Sequence, residues 1–365
     1  MITMFNAMRM STAKRRIIGA VLACAALLSG CSAVKVGYNN APTLAWWWLD
    51  GYMDFNPEQT ASVKQAIAQW FVWHRTTQLP DYADLLAAAQ VQVLQPASAA
   101  QVCRWNDELR LRIAAAVAHG VPLAAQWLPR LGAAQLAHLD KRYRKSNAEF
   151  KDEFLQARLQ ERQKASVERT IDRAEMLYGR LDDRQRELIA AGVAASPFDP
   201  EAWFAERQAL QAEVLQTLGR LTAGGSARAD PESNLAGLQA LAQRLLRAPP
   251  GPYRDYQQRL NAYNCDFAAQ VHNSTSMAQR QAARDKLKDW EGDLRALAAQ
   301  PPAPATDAAR ARALQLDAIV APRADQPAWS LMPTPGAGLA QPSSASKALS
   351  PSASGTPVAF SAANG

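Results

Sequence analysis

Helix-start punctuation recurs along this chain, and no other feature narrows its fold as far. Asn56 stands before Pro57 with Gln59 three residues after it, the order of a cap, a first-turn proline and a capping box. Val63, Ile67, Trp70 and His74 then follow at helical spacing, which predicts a core-facing stripe. Leu79-Pro80-Asp81, Ser98 with Gln101, Asp182 with Gln185, Asp199-Pro200-Glu201, Asp230-Pro231-Glu232 and Ser276 with Gln279 predict further starts. The start at Ser98 carries Val102, Trp105 and Leu109, and Leu260, Tyr263, Phe267 and Val271 form another stripe. No alternating segment of convincing strand length competes with them. Ala, Leu, Gln and Arg dominate the middle of the chain and favour helix. The expected fold class is all-α, a helical bundle.

The start of the chain predicts an address. Lys14-Arg15-Arg16 is a positive segment, and Ile17 to Leu28 is an apolar run of about a dozen residues, too short to span a bilayer stably. Met8 and Met10 are alternative starts for this leader. It ends in Leu28-Ser29-Gly30-Cys31, which matches the lipobox of lipoprotein signal peptidase: an aliphatic residue, two small ones and the cysteine that is acylated. Cys24 fits less well, because Leu22 stands where a small residue is wanted. Residues 1–30 are therefore expected to be a signal peptide, residues 31–43 a lipidated tether and Leu44 to Phe55 an aromatic helix. Ser32 follows the cysteine, with no Asp there to retain the protein at the inner membrane. Resemblance to sorted lipoproteins then implies the outer membrane, with the domain facing the periplasm. A triacylated cysteine anchors essentially permanently.

Bulk charge excludes one class of partner. The whole chain carries +7, of which Arg9, Lys14, Arg15 and Arg16 contribute four, so a chain starting at Cys31 carries +3. That is too little to mark a nucleic-acid binder. With Cys24 removed and Cys31 acylated, Cys103 and Cys265 remain, and an oxidising compartment predicts a disulfide between them rather than two buried thiols. They have no CxxC or HxxxH context, and His74, His119, His138 and His272 are scattered, so neither a metal site nor any other cofactor is expected.

Residues 44–300 are expected to form the helical domain. Thr222 to Asp230, with Gly224-Gly225-Ser226, is its best internal loop and a candidate subdomain boundary. After Gln300 the composition turns to Pro, Ala and Ser, with prolines recurring from Pro301 to Pro357. That predicts a disordered tail over 301–365, with room for one short helix around Ala308 to Val320.

Two resemblances bear on function. Tyr38-Asn39-Asn40-Ala41, Trp46-Trp47-Trp48-Leu49-Asp50-Gly51-Tyr52-Met53-Asp54, Pro57-Glu58-Gln59, Trp73-His74-Arg75 and Leu79-Pro80-Asp81-Tyr82 resemble an uncharacterised family of Gram-negative lipoproteins grouped only as a domain of unknown function. The likeness spans residues 28 to 300 and is most specific from Tyr38 to Gln59. It implies location and helical character and assigns no activity. Phe55-Asn56-Pro57-Glu58-Gln59, Leu131-Gly132-Ala133-Ala134-Gln135 and Leu181-Asp182-Asp183-Arg184-Gln185 are also similar to the Leu-Thr-x-x-Gln motif of small periplasmic chaperones of the Spy and CpxP type. A capping box explains the same letters without kinship.

Three groups of residues are candidate sites. Trp46, Trp47 and Trp48 lie about fifteen residues from Cys31 and suit a bilayer interface, a partner-docking patch or packing as the first helix of the bundle. Asp50 and Asp54 share a helical face and, with His74, are the candidates for acid–base chemistry; ion pairing with Arg75 is the plainer reading. From Asp140 to Arg173 charges of both signs interleave, which predicts a long salt-bridged helix with Tyr143, Phe150 and Phe154 on its buried side. Lys141, Arg142, Arg144 and Lys145 form its basic face, which would suit anionic lipid or cell-wall polymer. No GxSxG, nucleotide-binding glycine loop or Cys–His arrangement supports an enzyme. The expectation is a non-enzymatic envelope lipoprotein that binds protein partners as an adaptor or chaperone-like factor. The alternatives are action on cell-wall or lipid substrates and a purely structural role.

Overall fold

Capped starts set the helices. The computed structural model describes residues 33–156, 158–223 and 231–300, and among these it contains helices and no strand. In chain order they are α1 Ala33–Met53, α2 Pro57–Trp73, a π-helical turn His74–Gln78, α3 Leu79–Gln92, α4 Ala99–Ala124, a 3₁₀ turn Leu128–Arg130, α5 Ala133–Phe154 and α6 Leu159–Tyr178. Then follow α7 Asp183–Ala194, α8 Pro200–Ala223, α9 Pro231–Leu246, α10 Pro252–Asn273 and α11 Met277–Ala299. Full capping boxes form at Asn56/Gln59, Ser98/Gln101, Asp182/Gln185 and Ser276/Gln279. At α8, Asp199 Oδ1 accepts the Ala202 N–H at 2.9 Å.

Two of these boundaries differ from expectation. α1 begins at Ala33, so most of the segment read as tether is already helix. The charged stretch from Asp140 to Arg173 is two helices, one ending at Phe154 and the next starting at Leu159, and the sequence between them holds neither glycine nor proline. Its salt-bridged character holds, with Lys145–Glu149 at 3.5 Å, Arg158–Glu161 at 3.0 Å, Arg162–Glu201 at 2.8 Å and an Asp140–Arg144 pair.

Four glutamines join the capped starts in pairs. Gln59 and Gln135 exchange amide hydrogen bonds at 3.1 and 2.8 Å, and Gln185 and Gln279 do so at 2.8 and 2.9 Å. Each Oε1 also accepts the backbone N–H three residues before it, closing its own helix start. Each Nε2 also reaches a carbonyl two residues before the partner helix's cap: Arg130, Asp54, Ser274 and Arg180. Two symmetrical locks result, one joining α2 to α5 and the other α7 to α11.

Apolar packing follows the same division. The larger core holds Val63, Ile67, Leu128, Leu139, Leu218 and Leu238. The smaller one holds Leu181, Ile189 and Val271, with Phe267 against it. Close approach there requires a glycine: a Cβ on Gly192 would lie 2.1 Å from the Phe267 ring. α3 and α11 pack closely along each other, with Leu79, Ala83, Ala283 and Leu297 essentially inaccessible. α8 and α9, which flank the expected subdomain boundary, pack on each other in the larger core. A Cys103–Cys265 disulfide joins α4 to α10 with a Cα–Cα distance of 5.3 Å.

Candidate functional site: the seat of the N-terminal helix

The residues singled out at the start of the chain converge where α1 docks. Its inward face is built from polar and aromatic groups that find partners far along the sequence. Tyr38 places its hydroxyl 2.9 Å from His74 Nδ1. Arg75, buried, donates to Asn39 Oδ1 and to the Leu297 carbonyl, both at 2.9 Å, with its guanidinium 5.0 Å from the Tyr38 ring. Lys35 pairs with buried Asp293 at 3.4 Å. One cation thus ties α1, the π turn and α11 together, while a second ion pair repeats the connection.

The π turn has a local cause. Pro80 has no N–H to offer the Thr76 carbonyl, so a regular helix through this point would leave an acceptor unpaired. The backbone widens instead, with the Leu79 N–H donating to the His74 carbonyl five residues back. Thr76 and Thr77 hydroxyls donate to the Val72 and Trp73 carbonyls at 2.9 and 2.8 Å. Widening turns His74 and Arg75 toward α1.

Around His74 stand Tyr38, Trp70 and Tyr82, with ring centroids at 5.7, 4.6 and 5.4 Å. Burial lowers the imidazole pKa to about 4 and pushes the Tyr38 phenol up to about 12. Both are neutral near pH 7. A second Tyr–His pair has similar geometry: His272 Nε2–H donates to the Gln95 carbonyl at 2.7 Å, leaving Nδ1 to accept from Tyr178 at 2.9 Å.

The three tryptophans divide. Trp46 stacks on Phe55 at 5.6 Å against the larger core, with Lys64 Nζ 4.6 Å above its ring. Trp47 is half-buried, and Trp48 is exposed. Of the three, Trp46 therefore packs against the larger core, while Trp48 lies open beside the Tyr52 ring.

Asp50 and Asp54 do not meet Arg75. Asp50 Oδ1 accepts the Phe55 N–H at 3.2 Å, and Asp54 turns the chain at φ 52°, a conformation that Asp tolerates better than most residues. Their expected ion pair is replaced by Asn39 and a main-chain carbonyl on Arg75, because His74 and Arg75 face the opposite end of α1. The twelve residues from Tyr38 to Asp50 correspond to about 18 Å of helix. Asp50, Asp54 and His74 are thus not assembled into one acid–base site.

The basic face is largely engaged. Arg144 pairs with Asp140 and Lys145 with Glu149, while Arg142 lies 5.2 Å from the Tyr52 ring. Lys141 is exposed. Tyr143 is half-buried beside Tyr52, and Phe150 stacks on Phe154 and on Trp203 and Phe204 of α8. Burial lowers Arg207, which donates to Ser146 and Asn147, to about 10. Among the described residues, no group of three His, Cys, Asp or Glu side chains can hold a metal ion. Cys31 and the tail beyond Gln300 lie outside the described residues.

Sequence reading alone missed the pairing of Tyr38-Asn39 with His74-Arg75. The signal present was that both strings stand out from their surroundings, with a shared separation of 36 residues.

Fold and site together define an all-α bundle with a docked N-terminal helix and one disulfide. Residues 51–238, half of the chain, match the model of a family of unknown function (DUF6279), and the chain belongs to that family. The match is shorter than the span 28–300 and takes in only the last part of the Tyr38–Gln59 string, from Gly51. No curated protein and no solved structure matches this chain.

Proposed function

We propose that this protein is an envelope lipoprotein, cut before Cys31, acylated on that cysteine and facing the periplasm from the outer membrane, where it binds protein partners as an adaptor or chaperone-like factor. The observation that carries the reading is the Leu28-Ser29-Gly30-Cys31 run after a short basic-apolar leader. The Cys103–Cys265 disulfide supports an oxidising compartment. No described helix is long and apolar enough to cross a membrane, so a lipid would be the means of attachment for this part of the chain. The exposed charged surface of α5 further supports the adaptor reading. The Gln59, Gln135 and Gln185 motifs have a structural use in the locks, which favours the adaptor over the chaperone-like form.

Fractionation of cells carrying the native chain or Cys31→Ser tests the anchor. The native chain should pellet with membranes and take up a palmitate analogue, whereas the variant should lose the label. An unlabelled native chain, or processing indifferent to the substitution, contradicts the proposal. Photo-crosslinking from position 141 tests the rest: one dominant adduct supports an adaptor, a broad smear of unfolded clients a chaperone, and no protein adduct argues against both.

A further inference from the structure

We infer that the outward face of α1 lies flat on the lipid bilayer, so that the helix is a second, interfacial contact beside the acyl chains. This rests on the Cys31 anchor proposed above. At 100° per residue, Val36, Leu44, Trp47 and Trp48 fall with Ala33, Gly37 and Gly51 in one arc of about 120°; its single polar residue, Asn40, turns its amide back to the Val36 carbonyl at 2.8 Å. Val36, Leu44 and Trp48 are 49%, 44% and 37% exposed. No charged residue lies between Val36 and Leu49. The helix's two charges are committed elsewhere: Lys35 to Asp293, and Asp50 to the Phe55 N–H.

Chain length and charge identify lipid as the occupant. Only Ser32 separates Cys31 from Ala33, and two residue steps reach at most about 7 Å. Acyl chains on Cys31 would therefore hold the start of α1 against the headgroups. A cation borders the apolar arc: Lys64, exposed and 4.6 Å from the Trp46 ring, is placed to meet anionic headgroups. Tryptophan at the rim of such a face sits well at the interface. With a mean composition too polar to span, α1 lies along the surface rather than through it.

Single cysteines test this in the full acylated protein, because an acylated Cys31 and the Cys103–Cys265 bridge leave no competing thiol in the mature chain. Val36→Cys, Leu44→Cys and Trp48→Cys would each carry an environment-sensitive fluorophore. Val91→Cys and Leu111→Cys, at positions 70% and 65% exposed, serve as references away from α1. The proteins are reconstituted in phosphatidylethanolamine–phosphatidylglycerol vesicles containing nitroxide-labelled lipid. The α1 labels should emit at shorter wavelength and be quenched several-fold more than the references. Equal quenching at all five sites overturns the inference, as does a blue-shifted α1 label that nitroxide lipid does not quench, which would mean that protein covers the face. An acyl mass on Cys31 separates the two failures. If it is present while the α1 labels stay in water, only this inference falls; if it is absent, the anchor falls with it.

Discussion

Glutamine rather than glutamate stands at each of the four paired helix starts, and the chemistry of the side chain explains the choice. Either residue can accept the cap N–H of its own helix. Only the amide also has hydrogens to send across to the partner glutamine and to the carbonyl before the partner's cap. Gln185, 3% exposed, is the most enclosed of the four. Gln185→Ala strands the Ser274 carbonyl and the Asp182 N–H and should cost about 2–3 kcal/mol in urea denaturation. Gln185→Glu keeps the capping interaction yet should still destabilise, because its donors are gone. The double variant with Gln279→Ala should be less damaging than the two single losses added together, by at least about 1 kcal/mol. Additivity within about 0.3 kcal/mol would show that the two amides do not act as a pair.

Among the elements, α1 leans on contacts well beyond its own sequence. Gly37, Asn39, Asn40 and Pro42 are poor helix formers, which is why the sequence suggests a helix only from Leu44. Tyr38 and Asn39 extend it to Ala33 by bonding to His74 and Arg75, and a partner 36 residues away leaves no periodic trace. Capping boxes were legible because cap, proline and glutamine lie within one turn. The break after Phe154 was not, since no local breaker precedes Arg158 and the turn instead accompanies the packing of Phe154 on Phe150. Burial of His74 gives the seat of α1 a pH dependence. The unfolded chain protonates this ring near 6.5 and the folded chain at about 4. Its stabilising effect is therefore fully present above 6.5 and lost as pH falls toward 4, by up to about 3 kcal/mol. His272 is shifted in the same direction. His74→Gln should flatten part of the decline in urea midpoint between pH 6.5 and 4, and an unchanged slope would contradict the assignment.

Across the whole molecule, α4 carries Val117 and Val121 into the larger core, while α10 carries Phe267 and Val271 into the smaller. The disulfide between these helices closes a separation of 162 residues. Replacing both cysteines with serine should lower stability by about 2–5 kcal/mol, measured by thermal or urea unfolding against the oxidised native chain. A change below about 0.5 kcal/mol would mean that the bridge constrains little. The oxidised pair, the docked first helix and the proposed acylation of Cys31 belong to one account, in which the bundle is held against a membrane from its first residue. Intact-mass measurement of the protein extracted from membranes tests that account most directly. The predicted species begins at Cys31, carries the diacylglyceryl and N-acyl groups and lacks the two hydrogens of the Cys103–Cys265 pair. A chain that retains residues 1–30, or that starts elsewhere without acyl mass, would contradict it.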